Sequence, residues 1–95
     1  MKEVNSEAKK IRADRLVSIT CLKGEEGFAI YYHFSKSAQP ALIEMKVDVH
    51  AGEEVESMVP LFANAELFEC EASELYGVKF NGNPSSGKRL FLEER

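Results

Sequence analysis

Apolar and polar residues alternate with a period of two along three stretches of the chain and recur at helical spacing along two others. The first alternating run, RLVSITCLK from Arg15, places Val17, Ile19 and Cys21 on one face and Leu16, Ser18, Thr20 and Leu22 on the other. GEEG then offers a glycine at each end of a tight loop, and FAIYYHFS follows with Phe28, Ile30, Tyr32 and Phe34 alternating against Ala29, Tyr31 and His33. Two such runs joined by a short glycine-containing loop predict an antiparallel hairpin. After KSAQP, the run ALIEMKVDVH predicts a third strand, with Ile43, Met45, Val47 and Val49 inward and Glu44, Lys46 and Asp48 outward. One face of this sheet is wet, so the dry face needs a helical cover.

Residues 3–13 predict a short polar helix whose apolar contacts before Ile11 are Val4 and Ala8, frayed unless another element covers it. Between Gly52 and Gly77 the helical spacing is interrupted at Pro60 and Asn64. It predicts one or two helical turns around residues 55–63 and a second helix over residues 65–76. Asn64 reads as the N-cap, Glu66 sits in the first turn where the helix dipole favours an acid, and Gly77 is the C-terminal stop. The expected fold class is α+β: a small antiparallel sheet of three or more strands with helices packed on one face, formed by residues 1–95 as a single domain.

At about 100° per residue, Leu67, Phe68, Ala72 and Leu75 make the apolar face of the second helix. Glu71 falls inside that stripe, Glu69 near its boundary, and Glu66, Cys70 and Glu74 toward the opposite side. A carboxylate facing a core needs a partner. Arg89 or Lys88, returning along the C-terminal segment, is the expected cation for Glu71.

Composition narrows the function more than the fold. With 95 residues, 44% of them apolar and 29% charged, the chain has room for one core and the balance of an ordinary globular domain. The polar start, MKEVNSEAKKIRADR, does not read as a secretory signal, and no apolar run approaches the roughly 20 residues of a membrane span. The net charge of −4 is unevenly spread: residues 47–78 hold eight acids and no Lys or Arg, with basic residues on either side. That pattern lacks the basic stripe of a nucleic-acid surface and favours a basic protein partner, or basic ends folded over the acidic middle.

Candidate chemistry is sparse. Cys21 and Cys70 lie in different elements and read as reduced thiols, and the two Cys and two His have no zinc-ligand spacing. His33 and His50 are isolated, and the acids around Cys70 disfavour a thiolate nucleophile. Glutamates on one helix without a nearby His, Ser or glycine-rich cradle are a weak signal for acid–base catalysis. A metal held by Glu66 with Glu69 or Glu74 would need further ligands. Four glutamates in nine positions, with no lysine at helical spacing to relieve them, fit either a solvated face or a surface that meets a cation from another chain.

At residues 69–84 the run ECEASELYGVKFNGNP resembles the motif of the respiratory complex I 30 kDa subunit family, which also occurs in energy-converting membrane-bound [NiFe] hydrogenases. Glu69 and Glu71 fall on its paired glutamates, Glu74 on the following acid, and Tyr76 and Gly77 on its aromatic-glycine step, with Val78, Phe80, Gly82 and Pro84 completing the match. Asn83 stands where the family usually has His, and Cys70 where it commonly has Arg. The upstream order of three strands and a helix is similar too, so the resemblance covers roughly residues 14–95.

The resemblance implies a non-catalytic subunit of a peripheral arm, binding no cofactor or metal itself. It would pack beside a large catalytic subunit and near an iron-sulfur small subunit, so that iron-sulfur clusters, and NiFe in a hydrogenase, belong to the partners. Its brevity resembles the hydrogenase version more than the NADH dehydrogenase version. Localisation would be cytoplasmic, peripheral to the cytoplasmic membrane through the complex, without nucleic acid. The expected partner-binding set is Glu69, Glu71, Glu74, Tyr76, Gly77, Phe80, Gly82, Asn83 and Pro84, with Tyr76 and Phe80 as aromatic anchors. Alternatives are a subunit of a respiratory NADH/quinone-type dehydrogenase, a free-standing acidic protein-binding module and, more distantly, an independent enzyme.

Overall fold

A computed structural model describes residues 1–37 and 39–84, with the side chains of residues 39–41 left aside. The expected cation for Glu71, Arg89 or Lys88, lies outside the described residues. In chain order the elements are α1 (Asn5–Ile11), β1 (Arg15–Lys23), β2 (Gly27–Lys36), β3 (Gln39–His50), β4 (Glu54–Glu56), α2 (Ala65–Tyr76) and β5 (Lys79–Asn81). β1, β2 and β3 form an antiparallel sheet in sequence order. The predicted α+β class holds, with both helices contributing to the core on the dry face of that sheet.

Alternation along β2 and β3 is as the sequence predicts: Ile30, Tyr32 and Phe34 are buried, as are Val47 and Val49, while Ile43 and Met45 pack partly buried against the same core. β1 departs from its pattern at its start. Leu16 pairs with Phe34 but Ser18 pairs with His33, so Val17 is an extra residue that bulges from the ladder. The bulge inverts the expected facing there, leaving Leu16 2% exposed in the core and Val17 40% exposed. Beyond it Ile19 and Cys21 keep the inward positions that the pattern assigns them. Simple alternation cannot register an inserted residue when both neighbours are apolar.

The helical turns expected around residues 55–63 are replaced in their first part by β4, which pairs in parallel with β5, Val55 lying opposite Phe80. A single turn follows, in which Phe62 N donates to Met58 O at 2.9 Å. Strands of three residues are too short to show a period, and their pairing is a property of the tertiary fold.

The N-terminal helix is covered. Val4 and Ala8 are buried in the core, and the segment before them bonds to β4 on both sides of Lys2. The Glu56 carboxylate accepts 3.0 Å hydrogen bonds from Val4 N and Asn5 N, which supplies from another element the cap that α1 lacks in its own sequence.

α2 runs over the predicted residues, and its end follows the expected rule. Gly77 stands at φ 78°, a conformation natural to glycine, and its N–H bonds to Ser73 O at 2.9 Å. Its start does not. Asn64 makes no side-chain cap; its Nδ2 instead donates to Leu16 O at 2.9 Å, tying the helix start to the bulge of β1.

Candidate functional site

α2 turns a different face to the core from the one its leucines predict. Ala65, Glu69, Cys70 and Ala72 are buried, Phe68 is half-buried, and Leu67 and Leu75 are 68% and 70% exposed. Glu71 is exposed, which removes the expectation that it lies against the core with a fixed partner. Glu69 takes that role, with 0% exposure.

Its neighbours show why. Met58 N donates to Glu69 Oε2 at 2.7 Å, and Ser57 Oγ and Asn83 Nδ2 donate to Oε1 at 2.7 and 2.9 Å. Three donors from two other segments therefore converge on one carboxyl group. Each would be left unsatisfied in the interior if a leucine faced it, at a cost of about 1–3 kcal/mol per group. Exposing two leucines forgoes about 1.5–3 kcal/mol each, so the polar cluster offsets the apolar loss.

No Lys, Arg or His pairs with Glu69 among the described residues. Burial pushes its carboxyl pKa above the ordinary value, and the bonds from Met58, Ser57 and Asn83 pull the other way without cancelling it. The Tyr32 phenol, raised mainly by its own burial, is raised further by the Glu69 charge, and its hydroxyl has no hydrogen-bond partner among the described residues.

Asn83 is the second half of this clasp. Besides Glu69 it donates to Glu66 O at 3.2 Å, while the Cys70 thiol approaches its Oδ1 at 3.8 Å. The loop after β5 is thereby held against α2. Gly82, at φ 100°, makes the turn that delivers Asn83 inward, a conformation strained for any side chain.

The nine residues of the expected docking set therefore separate into two layers. Glu69, Phe80 and Asn83 are buried, and Phe80 lies in the core at 1% exposure, so it does not offer an anchor at the surface. Glu71, Glu74, Gly77, Gly82 and Pro84 are exposed, and Tyr76 is 38% exposed, its ring edge-on to Phe28 with centroids 6.4 Å apart. Sequence reasoning missed Ser57 and the Met58 amide, because nothing in a local pattern marks a serine and a backbone N–H as the partners of an acid more than ten residues away.

Elsewhere the chemistry is that of a scaffold. Cys21 and Cys70 are buried thiols outside any disulfide, and burial raises the Cys21 thiol pKa. His33, expected to be isolated, joins Ser18 and Glu44 in a ladder of side chains across the wet face of the sheet, at 3.2 and 3.0 Å. Among the described residues, no group of three or more His, Cys, Asp or Glu side chains is placed to hold a metal, and no helix is long and apolar enough to cross a membrane.

The model of the family described as respiratory-chain NADH dehydrogenase, 30 Kd subunit, matches residues 1–95. The chain is 36% identical over 59 residues to the C subunit of the NADH-quinone oxidoreductase of Agrobacterium fabrum, covering 62% of this chain and 30% of the relative. It is 33% identical over 76 residues to the corresponding protein of Brucella ovis, covering 74% and 38%. To the fused C/D protein of the NADH-quinone oxidoreductase of Bdellovibrio bacteriovorus it is 30% identical over 66 residues, covering 70% and 12%. The aligned part thus spans well under half the length of each of these relatives.

Proposed function

The chain belongs to the respiratory-chain NADH dehydrogenase 30 kDa subunit family, and from that premise we propose that it is a non-catalytic subunit of the peripheral arm of a complex I-related, membrane-bound oxidoreductase. It docks beside the large catalytic subunit and near the iron-sulfur subunit, binds no cofactor itself, and meets the membrane only through the assembly. The observation that carries this reading is the match over the whole chain. The clasp between Glu69 and Asn83 supports it, because it turns the motif of residues 69–84 into a structural unit with no site for chemistry of its own. On this reading Glu69, Phe80 and Asn83 set the shape from inside, and Glu71, Glu74, Tyr76, Gly82 and Pro84 meet the partner.

The three relatives described above are named as subunits of NADH-quinone oxidoreductases, which favours the dehydrogenase branch over the [NiFe] hydrogenase branch suggested by the brevity of the chain. Purification of the tagged native protein from detergent-solubilised membranes tests both levels. Iron and quinone-linked NADH oxidation in the eluate support the dehydrogenase branch; nickel with hydrogen evolution supports the hydrogenase. Recovery of the chain alone from the soluble fraction overturns the subunit role and leaves the free-standing binding module.

A further inference from the structure

Building on that subunit role, we propose that the outward face of α2, formed by Leu67, Glu71, Glu74 and Leu75, is the docking surface, and that it fits a partner protein presenting apolar side chains flanked by Arg or Lys. Leu67, Glu71 and Leu75 follow one another at four-residue spacing and so lie in one line, about 12 Å from the first leucine to the second. Both leucines are more than two-thirds exposed. They are on the surface because Glu69 occupies the inward face, so burying them within this chain would break the clasp on Ser57, Met58 and Asn83.

Charge selects the kind of occupant. Glu71 and Glu74 form no ion pair among the described residues, and α2 contains no basic residue. The wet face of the sheet contrasts with it: there Glu44 meets His33 at 3.0 Å and Asp48 meets Lys46 at 3.8 Å, so cations within the chain already answer those acids. A second copy docked by two-fold symmetry would set acids against acids. Anionic lipid and nucleic-acid phosphate are repelled in the same way. A protein surface with apolar recesses and basic rims covers the leucines and neutralises both acids.

The test places a photo-crosslinking amino acid at position 75 of the tagged native chain, with a control at exposed Thr20 on the wet face. The expected adduct joins position 75 to an unlike subunit of the same assembly, at a peptide carrying Arg or Lys beside apolar residues, with a yield about tenfold above the control. The double variant Leu67→Ser, Leu75→Ser and, independently, Glu71→Lys, Glu74→Lys should each retain native melting behaviour while losing about tenfold of the companion subunits. Full retention of companions by both variants, or adducts only to lipid or to a second copy, overturns this surface and leaves the subunit role standing. A wild-type chain purified without companions overturns both.

Discussion

Asn83 Nδ2 lies 2.9 Å from Glu69 Oε1 in the buried interior, fixing the loop after β5 to the middle of α2. Asn83 is the residue that departs from the family pattern, and Glu69 the one that displaces two leucines from the inward face of the helix. The pair determines both the shape of residues 69–84 and the character of the surface that α2 presents.

Removing the acid should be costly. Glu69→Ala leaves Ser57 Oγ, Met58 N and Asn83 Nδ2 without their acceptor and opens a cavity, with an expected loss of about 2–4 kcal/mol. Urea denaturation of the purified chain measures it. A loss under about 0.5 kcal/mol, the range of an ordinary surface change, would show that the clasp is not formed.

The same carboxyl makes stability depend on pH. Its native pKa is raised, so the native state holds the proton more tightly than the unfolded chain, and ionisation favours unfolding. This contribution is fully present below the ordinary glutamate value of 4.5 and is lost as pH rises through the raised native pKa. Glu69→Gln, which has no proton to lose, should flatten that decline. Parallel pH profiles for the two proteins would contradict the assignment.

The bulge in β1 separates two adjacent apolar residues. Leu16→Ala should cost about 2–4 kcal/mol and Val17→Ala less than about 1 kcal/mol, although unbroken alternation assigns the inward face to Val17. Equal costs would place the bulge elsewhere.

Tyr32→Phe removes a buried hydroxyl that has no partner among the described residues. It should leave stability unchanged or raise it by up to about 1 kcal/mol. A clear loss would reveal an acceptor or ordered water at that hydroxyl.

Cys21 and Cys70 are each 5% exposed. Both thiols should react with a disulfide reagent far more slowly in the native chain than in denaturant. Rapid native reaction at Cys70 would mean that the loop held by Asn83 opens readily.

Where a residue's environment follows from its own neighbours in sequence, the pattern sufficed. The strands β1, β2 and β3, the extent of α2 and its glycine stop are of this kind. Where the environment is set by distant residues, it did not. Leu67 and Leu75 look like core positions on a helical wheel, and only the donors gathered at residues 57, 58 and 83 reverse that assignment. Val17 and Asn64 fail similarly: one needs the register with β2, the other the carbonyl of Leu16. The docking residues were legible as a motif, but their division into a buried layer and an exposed layer needed the fold.

The most direct test of the subunit role is the sedimentation of the untagged native protein after mild detergent extraction of membranes, followed by antibody. The account predicts that the chain co-sediments with an iron-containing assembly many times its own mass. Sedimentation as a lone chain of this size, with no iron in its fractions, would contradict it.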